Sequence, residues 1–159
     1  LNNITDQITF IHGDIRRLAG SMKNNRFEVM ISNPPYTRQG TGRASPGKSR
    51  FLARYEHSLN LSELVRSAET LLNTKGRLYM IYPVRRLAEL VTAAAAKKLE
   101  LKRLRPVYPY PDQEANLFLA EFIKEAGTGV KLEKPLYIYQ DGRLTEEVEH
   151  YYTLDKDKT

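Results

Sequence analysis

The chain has 159 residues, of which 41% are hydrophobic and 28% charged, and it carries a formal net charge of +6. This suffices for one compact domain with a real core, and no apolar run approaches the roughly 20 residues of a membrane helix, so no membrane partner is expected. With no cysteine and three histidines, a disulfide scaffold, a cysteine nucleophile and a thiolate or histidine-rich metal centre all fall away. No secretory pattern opens the chain, which favours a cytoplasmic setting.

Leu1 to Ile4 has neither an initiator methionine nor a cap and reads as the end of a helix and a loop, as if the chain began inside a larger fold. Ile8–His12 is a short β-rich run closed by Gly13-Asp14. A modest helix is expected from Ile15 to Met22, with Asp14 as its candidate N-cap. Phe27–Ser32 is nearly continuous in apolar residues, the pattern of a strand buried on both faces. Asn33-Pro34-Pro35-Tyr36 ends it, because proline adds no ladder donor.

Residues 37–50 are rich in Gly, Ser, Thr and Arg and read as a loop. Leu61, Leu64, Val65, Ala68, Leu71 and Leu72 then fall at helical spacing, with Ser62 the expected cap of a helix reaching Asn73. Gly76–Tyr82 is the next buried strand, Arg85–Leu99 a helix, and Leu101–Tyr108 and Leu117–Ile123 two strands expected to form a hairpin. Leu136–Tyr139 is a further extended run, Asp141-Gly142 a turn, and the polar end is expected to fray. The order predicts an α/β fold, the closing half of a doubly wound sheet, mostly parallel with an antiparallel last strand. No strand-to-helix glycine turn of the G-x-G type occurs; only Gly40 and Gly42 have the spacing, without a strand before them.

Asn33-Pro34-Pro35-Tyr36 would sit beyond the carboxyl end of a parallel strand, where open α/β sheets bind ligands. A planar amine, on adenine or on a glutamine amide, is a poor nucleophile because its lone pair is delocalised. A site accepting hydrogen bonds from both amine hydrogens favours the pyramidal form as a methyl group arrives. The Asn33 side-chain carbonyl and the Pro34 backbone carbonyl can be those acceptors, Pro35 stiffens the turn, and Tyr36 offers a face for a flipped base. A plain strand-terminating turn is the competing reading of the same four residues.

Between Thr37 and Tyr55 stand Arg38, Arg43, Lys48, Arg50 and Arg54 without a single acid. Such a segment suits nucleic-acid phosphates, with affinity falling as salt rises, although Arg54 and Glu56 also read as solvated helix charges.

His12-Gly13-Asp14, Asn33-Pro34-Pro35-Tyr36, Ala53-Arg54-Tyr55-Glu56, Gly76-Arg77-Leu78 and Pro135-Leu136-Tyr137-Ile138-Tyr139 together resemble the bacterial tRNA-valine adenine-N6 methyltransferase family, over the whole chain. The resemblance implies the C-terminal two-thirds of a Rossmann-like class I methyltransferase, with residues 1–125 a partial domain and 126–159 a tail holding a short strand or hairpin. It implies S-adenosylmethionine as cofactor, tRNA as partner, and Asp14, beside Asn33, as a cofactor contact at the adenine amino group. The opening strand and glycine-rich cofactor loop would precede Leu1. A chain cut there is expected to be inactive alone, and to associate through an exposed sheet edge with its own copies or with a chain supplying the missing part. DNA adenine and protein-glutamine methyltransferases share the tetrapeptide, and an inactive RNA-binding module is the non-enzymatic alternative.

Overall fold

The computed structural model describes residues 7–22, 26–34 and 60–153. Helix α1 spans Ile15–Ser21 and strand β1 Phe27–Ser32. Helix α2, Leu61–Leu71, runs straight into strand β2, Leu72–Pro83. A 3-10 turn, Val84–Arg86, leads into helix α3, Leu87–Ala95, and then strand β3, Leu99–Tyr108, and strand β4, Leu117–Lys124. Short strands β5 (Lys131–Leu132), β6 (Leu136–Tyr137), β7 (Tyr139–Gln140) and β8 (Arg143–Leu144) precede helix α4, Glu146–Thr153.

The main sheet has the order β1-β2-β4-β3-β5, with β6 also on β3. Strands β1 and β2 are parallel, and β4 lies antiparallel between β2 and β3. The expected hairpin and inserted antiparallel strand are both present. Because β4 opposes both neighbours, β1, β2 and β3 all point the same way. Their carboxyl ends form one edge of the sheet, bearing Asn33, Pro83 and Pro109.

The core lies on the face covered by α2 and α3. Leu64, Val65 and Ala68 of α2 and Leu90 and Ala94 of α3 meet Leu78, Met80, Tyr82, Phe118 and Phe122 of the sheet. The alternation Leu78-Met80-Tyr82 sends one side of β2 into this core, as the strand period of two requires. The cap of α2 differs from expectation. Asn60, not Ser62, accepts from the Glu63 N–H at 2.9 Å, and Glu63 accepts from the Asn60 N–H at 3.0 Å, a reciprocal capping box.

Other expectations are corrected. Ile8–His12 is not a strand; it pairs with nothing among the described residues, and Phe10 is 88% exposed. Strand β1 is not buried on both faces. Among the described residues it lies at the edge of the sheet, and Ile31 is 80% exposed because no described helix covers its side. Helix α3 stops at Ala95, short of Leu99, where Lys98 takes a positive φ of 58° to turn the chain into β3. The end of the chain does not fray before Thr153. Glu146–Thr153 is helical, with acids in its first turn where the helix dipole favours them, and Val148 packs on Val107 and Leu136.

Candidate active site

Helix α2 begins near the carboxyl end of β1 and ends where Leu72 pairs with Phe27 at the strand's start. Its first turn therefore stands at the same edge as Asn33. Arg16 reaches from α1 to that turn, with Nη1 3.2 Å from Glu63 Oε1. Asp14, which caps α1, is thus also at the carboxyl edge. Two residues singled out for one site, Asp14 and Asn33, are brought to the same edge of the sheet.

Asn33 is exposed and Pro34 directly after it is buried, so the first peptide past β1 is anchored while the asparagine faces out. Asn33 opens onto a concavity of about 440 Å³ whose walls include Ile31, Tyr79, Ile81, Glu121 and Tyr151. This hollow lies on the sheet face opposite the core. Ile31, Tyr79, Glu121 and Arg103 stand in register across β1, β2, β4 and β3, a row spanning about 14 Å at sheet spacing. Tyr79 Oη donates to Glu121 Oε1 at 2.9 Å, and Arg105 at the far side is tied to Glu147 and Tyr151 of α4. One end of the hollow is therefore apolar and the other polar.

The Asp14 carboxylate accepts from the Arg16 backbone N–H and from its guanidinium. These hydrogen bonds hold its pKa at about 2, below the ordinary 3.8. At neutral pH it is an acceptor only. The capping reading of Asp14 is borne out, and it does not exclude a ligand contact. Arg16, Glu63, Tyr79 and Glu121 were not singled out in the sequence. For Glu63 the signal was there, since Asn60-x-x-Glu63 has capping-box spacing; Tyr79 and Glu121 meet only through strand pairing. Pro35, Tyr36, Arg38, Arg43, Lys48, Arg50 and Arg54 lie outside the described residues, as do Ala53, Tyr55 and Glu56. Among the described residues no group of acids and histidines could hold a metal, and no helix is long and apolar enough to cross a membrane.

No protein-family model matches the chain. A curated tRNA1(Val) (adenine(37)-N6)-methyltransferase of Porphyromonas gingivalis is 35% identical over 120 residues, 74% of this chain and 46% of the relative. Its counterpart in Dyadobacter fermentans is 27% identical over 143 residues, 89% of this chain and 58% of the relative. The chain is a homologue of the tRNA1(Val) adenine-N6 methyltransferases. It spans about half the length of the curated relatives it matches. The homology agrees with the resemblance carried by the sequence motifs. Among solved structures, one named as a "predicted O-methyltransferase" from Agrobacterium tumefaciens superposes with a TM-score of 0.66 at 19% identity, covering 91% of this chain and 62% of that one. A complex of M1.HpyAVI with S-adenosylmethionine gives 0.51 at 14% identity over 74% and 53%. Both likenesses concern the fold alone, and it is the Rossmann-like fold that the resemblance implies.

Proposed function

We propose that this chain forms the acceptor side of an S-adenosylmethionine-dependent adenine-N6 methyltransferase acting on RNA, with the tRNA adenosine beside the anticodon as its substrate. The observation that carries the reading is Asn33, exposed past the carboxyl end of β1 on a buried proline and facing the hollow. The names of the relatives supply the substrate class. In this reading the Asn33 carbonyl and the Pro34 backbone carbonyl accept the two hydrogens of the adenine amine and stabilise its pyramidal form. Tyr36 stacks on the flipped base, worth about 1–3 kcal/mol. No general base is required, since the proton leaves to water after the new N–C bond has formed. Arg38, Arg43, Lys48, Arg50 and Arg54 meet RNA phosphates.

The acceptor chemistry of Asp14 suits the exocyclic amine of the cofactor's adenine. An ionised carboxylate accepts only; the Asp14 side chain is 34% exposed, and three N–H groups of Arg16 make four contacts to its two oxygens. When bound, S-adenosylmethionine supplies the electrophilic methyl group. We further propose that the face and edge of β1 that no described residue covers or pairs with take up additional polypeptide. Parallel strands are ordinarily covered on both faces, and Val29 and Ile31 are exposed here. A longer polypeptide would supply that cover, and this chain alone would bind cofactor weakly or not at all and be inactive. Otherwise its own copies would associate through that edge. The setting is the cytoplasm.

Labelled-methyl transfer to tRNA tests the reading in the complete protein. Asn33→Ala is expected to abolish incorporation and leave tRNA affinity largely unchanged. Full activity in Asn33→Ala would overturn the acceptor role.

A further inference from the structure

The carboxyl edge of the sheet continues well past Asn33. Across it the strands stand in the order β1, β2, β4, β3, β6, so the ends of β3 and β6 lie roughly 14 and 19 Å from that of β1 at sheet spacing. There the chain brings four tyrosines together. Tyr108 and Tyr137 are partners in the β3–β6 register, their rings 5.4 Å apart and tilted by 44°. One step further out, Tyr110 and Tyr139 stack with ring centres 5.3 Å apart and planes 28° from parallel. The backbone holds this outer pair in place, because the Ile138 and Tyr139 N–H groups donate to the Tyr108 and Pro109 carbonyls, both at 2.9 Å.

A tyrosine kept only for core packing buries its ring and finds a partner for its hydroxyl. Here Val107 and Leu136 fill the small core beneath α4, and their neighbours Tyr108 and Tyr137 point to the other face. None of the four hydroxyls has a hydrogen-bond partner among the described residues, and Tyr139 is 38% exposed. In the lateral order Arg85, in the turn after β2, comes between Asn33 and the tyrosines. Arg86 is turned inward over the Tyr82 ring and onto Glu89, whereas Arg85 is exposed and has no ion pair among the described residues. Asp112 and Glu114 in the loop after β3, and Asp141 beside Arg143 in the β7–β8 turn, are also exposed, so the tyrosine end is not basic. It cannot hold a polyanion by charge, but flat, fixed rings can hold bases.

We infer that the Tyr110–Tyr139 pair is a stacking platform for an unpaired base of the substrate RNA, a few nucleotides from the methylated adenosine, with the strand crossing the sheet edge past Arg85. This rests on the reading of the substrate as an RNA adenosine. Extruding that adenosine leaves its neighbours without the stack it supplied, a cost that the protein has to offset. The platform does so at a second RNA contact, independent of the basic segment at 37–55.

The test is tRNA binding by the complete protein across a range of salt. Tyr139→Leu is expected to weaken binding about 5- to 150-fold, the range of one base–aromatic stack, with an unchanged slope of log affinity against log salt. Tyr139→Phe keeps the ring and should bind as the unaltered protein does. Arg85→Gln should instead reduce the slope by about 0.7, one phosphate on a single strand. Unchanged affinity in Tyr139→Leu would overturn the platform, and an unchanged slope in Arg85→Gln would overturn the path past it. A loss in Tyr139→Phe equal to that in Tyr139→Leu would also overturn the platform, since the hydroxyl rather than the ring would then be at stake. A second measurement needs no variant. With 2-aminopurine placed in turn at each unpaired loop position flanking the target, fluorescence should be quenched on binding at one of them. No quenching at any position overturns the platform even if Tyr139→Leu fails to fold. Absence of methyl transfer to tRNA by the unaltered protein is a separate result, which removes the RNA reading and the inference with it.

Discussion

Tyr79 and Glu121 face each other across paired strands β2 and β4, and the tyrosine hydroxyl donates to Glu121 Oε1 at 2.9 Å. The Glu121 side chain is only 6% exposed, and its other partners, Arg77 at 3.4 Å and Arg103 at 3.8 Å, are looser. A carboxylate so far from water depends on its shortest hydrogen bond. Tyr79→Phe keeps the ring and deletes that donor. It is expected to lower stability by about 1–3 kcal/mol, read as an earlier midpoint in urea with an unchanged slope. An unchanged midpoint would show that the two arginines alone satisfy Glu121.

Acid should destabilise the fold below about pH 4.5. Arg16 hydrogen bonds depress Asp14 to about 2; the Asn60 backbone, then Arg16, lowers Glu63; and Arg105 lowers Glu147. A carboxylate with a depressed folded pKa stabilises the native state fully above its unfolded value, 3.8 for Asp14 and 4.5 for the two glutamates. That contribution fades as pH falls through the folded value. Thermal melts are therefore expected to be flat from pH 7 to 5 and to decline towards pH 2. Asp14→Asn should flatten the most acidic part of the curve; an identical decline in the variant would exclude Asp14 as a source.

What was legible in the sequence followed one-dimensional patterns. The apolar period of 61–72 revealed α2, and the apolar run after Gly76 revealed β2. The prolines at 34 and 83 marked strand ends that both fall at the carboxyl edge. What escaped was set by neighbours distant in sequence. Phe27–Ser32 looks doubly buried, yet its exposure depends on what lies beside β1. Helix α4 was hidden because its residues are polar, and its signal was local: Thr145 Oγ1 accepts from the Val148 N–H before an acid-rich first turn. Arg16 carried no signal of its own in the sequence, because its partner Glu63 is 47 residues away.

The acid-free run from Thr37 to Tyr55 makes a prediction about salt. Neutralising Arg38 and Arg43 together should weaken tRNA binding and reduce the slope of log affinity against log salt by roughly 1.4–1.8 for two phosphate contacts. Filter binding between low and physiological salt measures this. A slope equal to that of the unaltered protein would remove these two arginines from the RNA interface, whatever happened to methyl transfer.

Lys124 is, with Glu121, one of two charged residues buried among the described residues. At the end of β4 it is 5% exposed, and its ammonium donates to the Glu69 carbonyl at 2.5 Å and the Leu72 carbonyl at 3.1 Å. These oxygens lie at the carboxyl end of α2, where backbone acceptors lack intrahelical donors and the dipole favours a cation. The Glu69 carboxylate, 3.6 Å away, balances the charge. Lys124→Met retains the apolar stem and leaves both carbonyls without this donor. The expected loss is about 1–3 kcal/mol, with faster amide exchange in the last turn of α2 and at the start of β2 than around Asn33. Uniform exchange throughout would mean that Lys124 stabilises the sheet as a whole rather than the junction it caps.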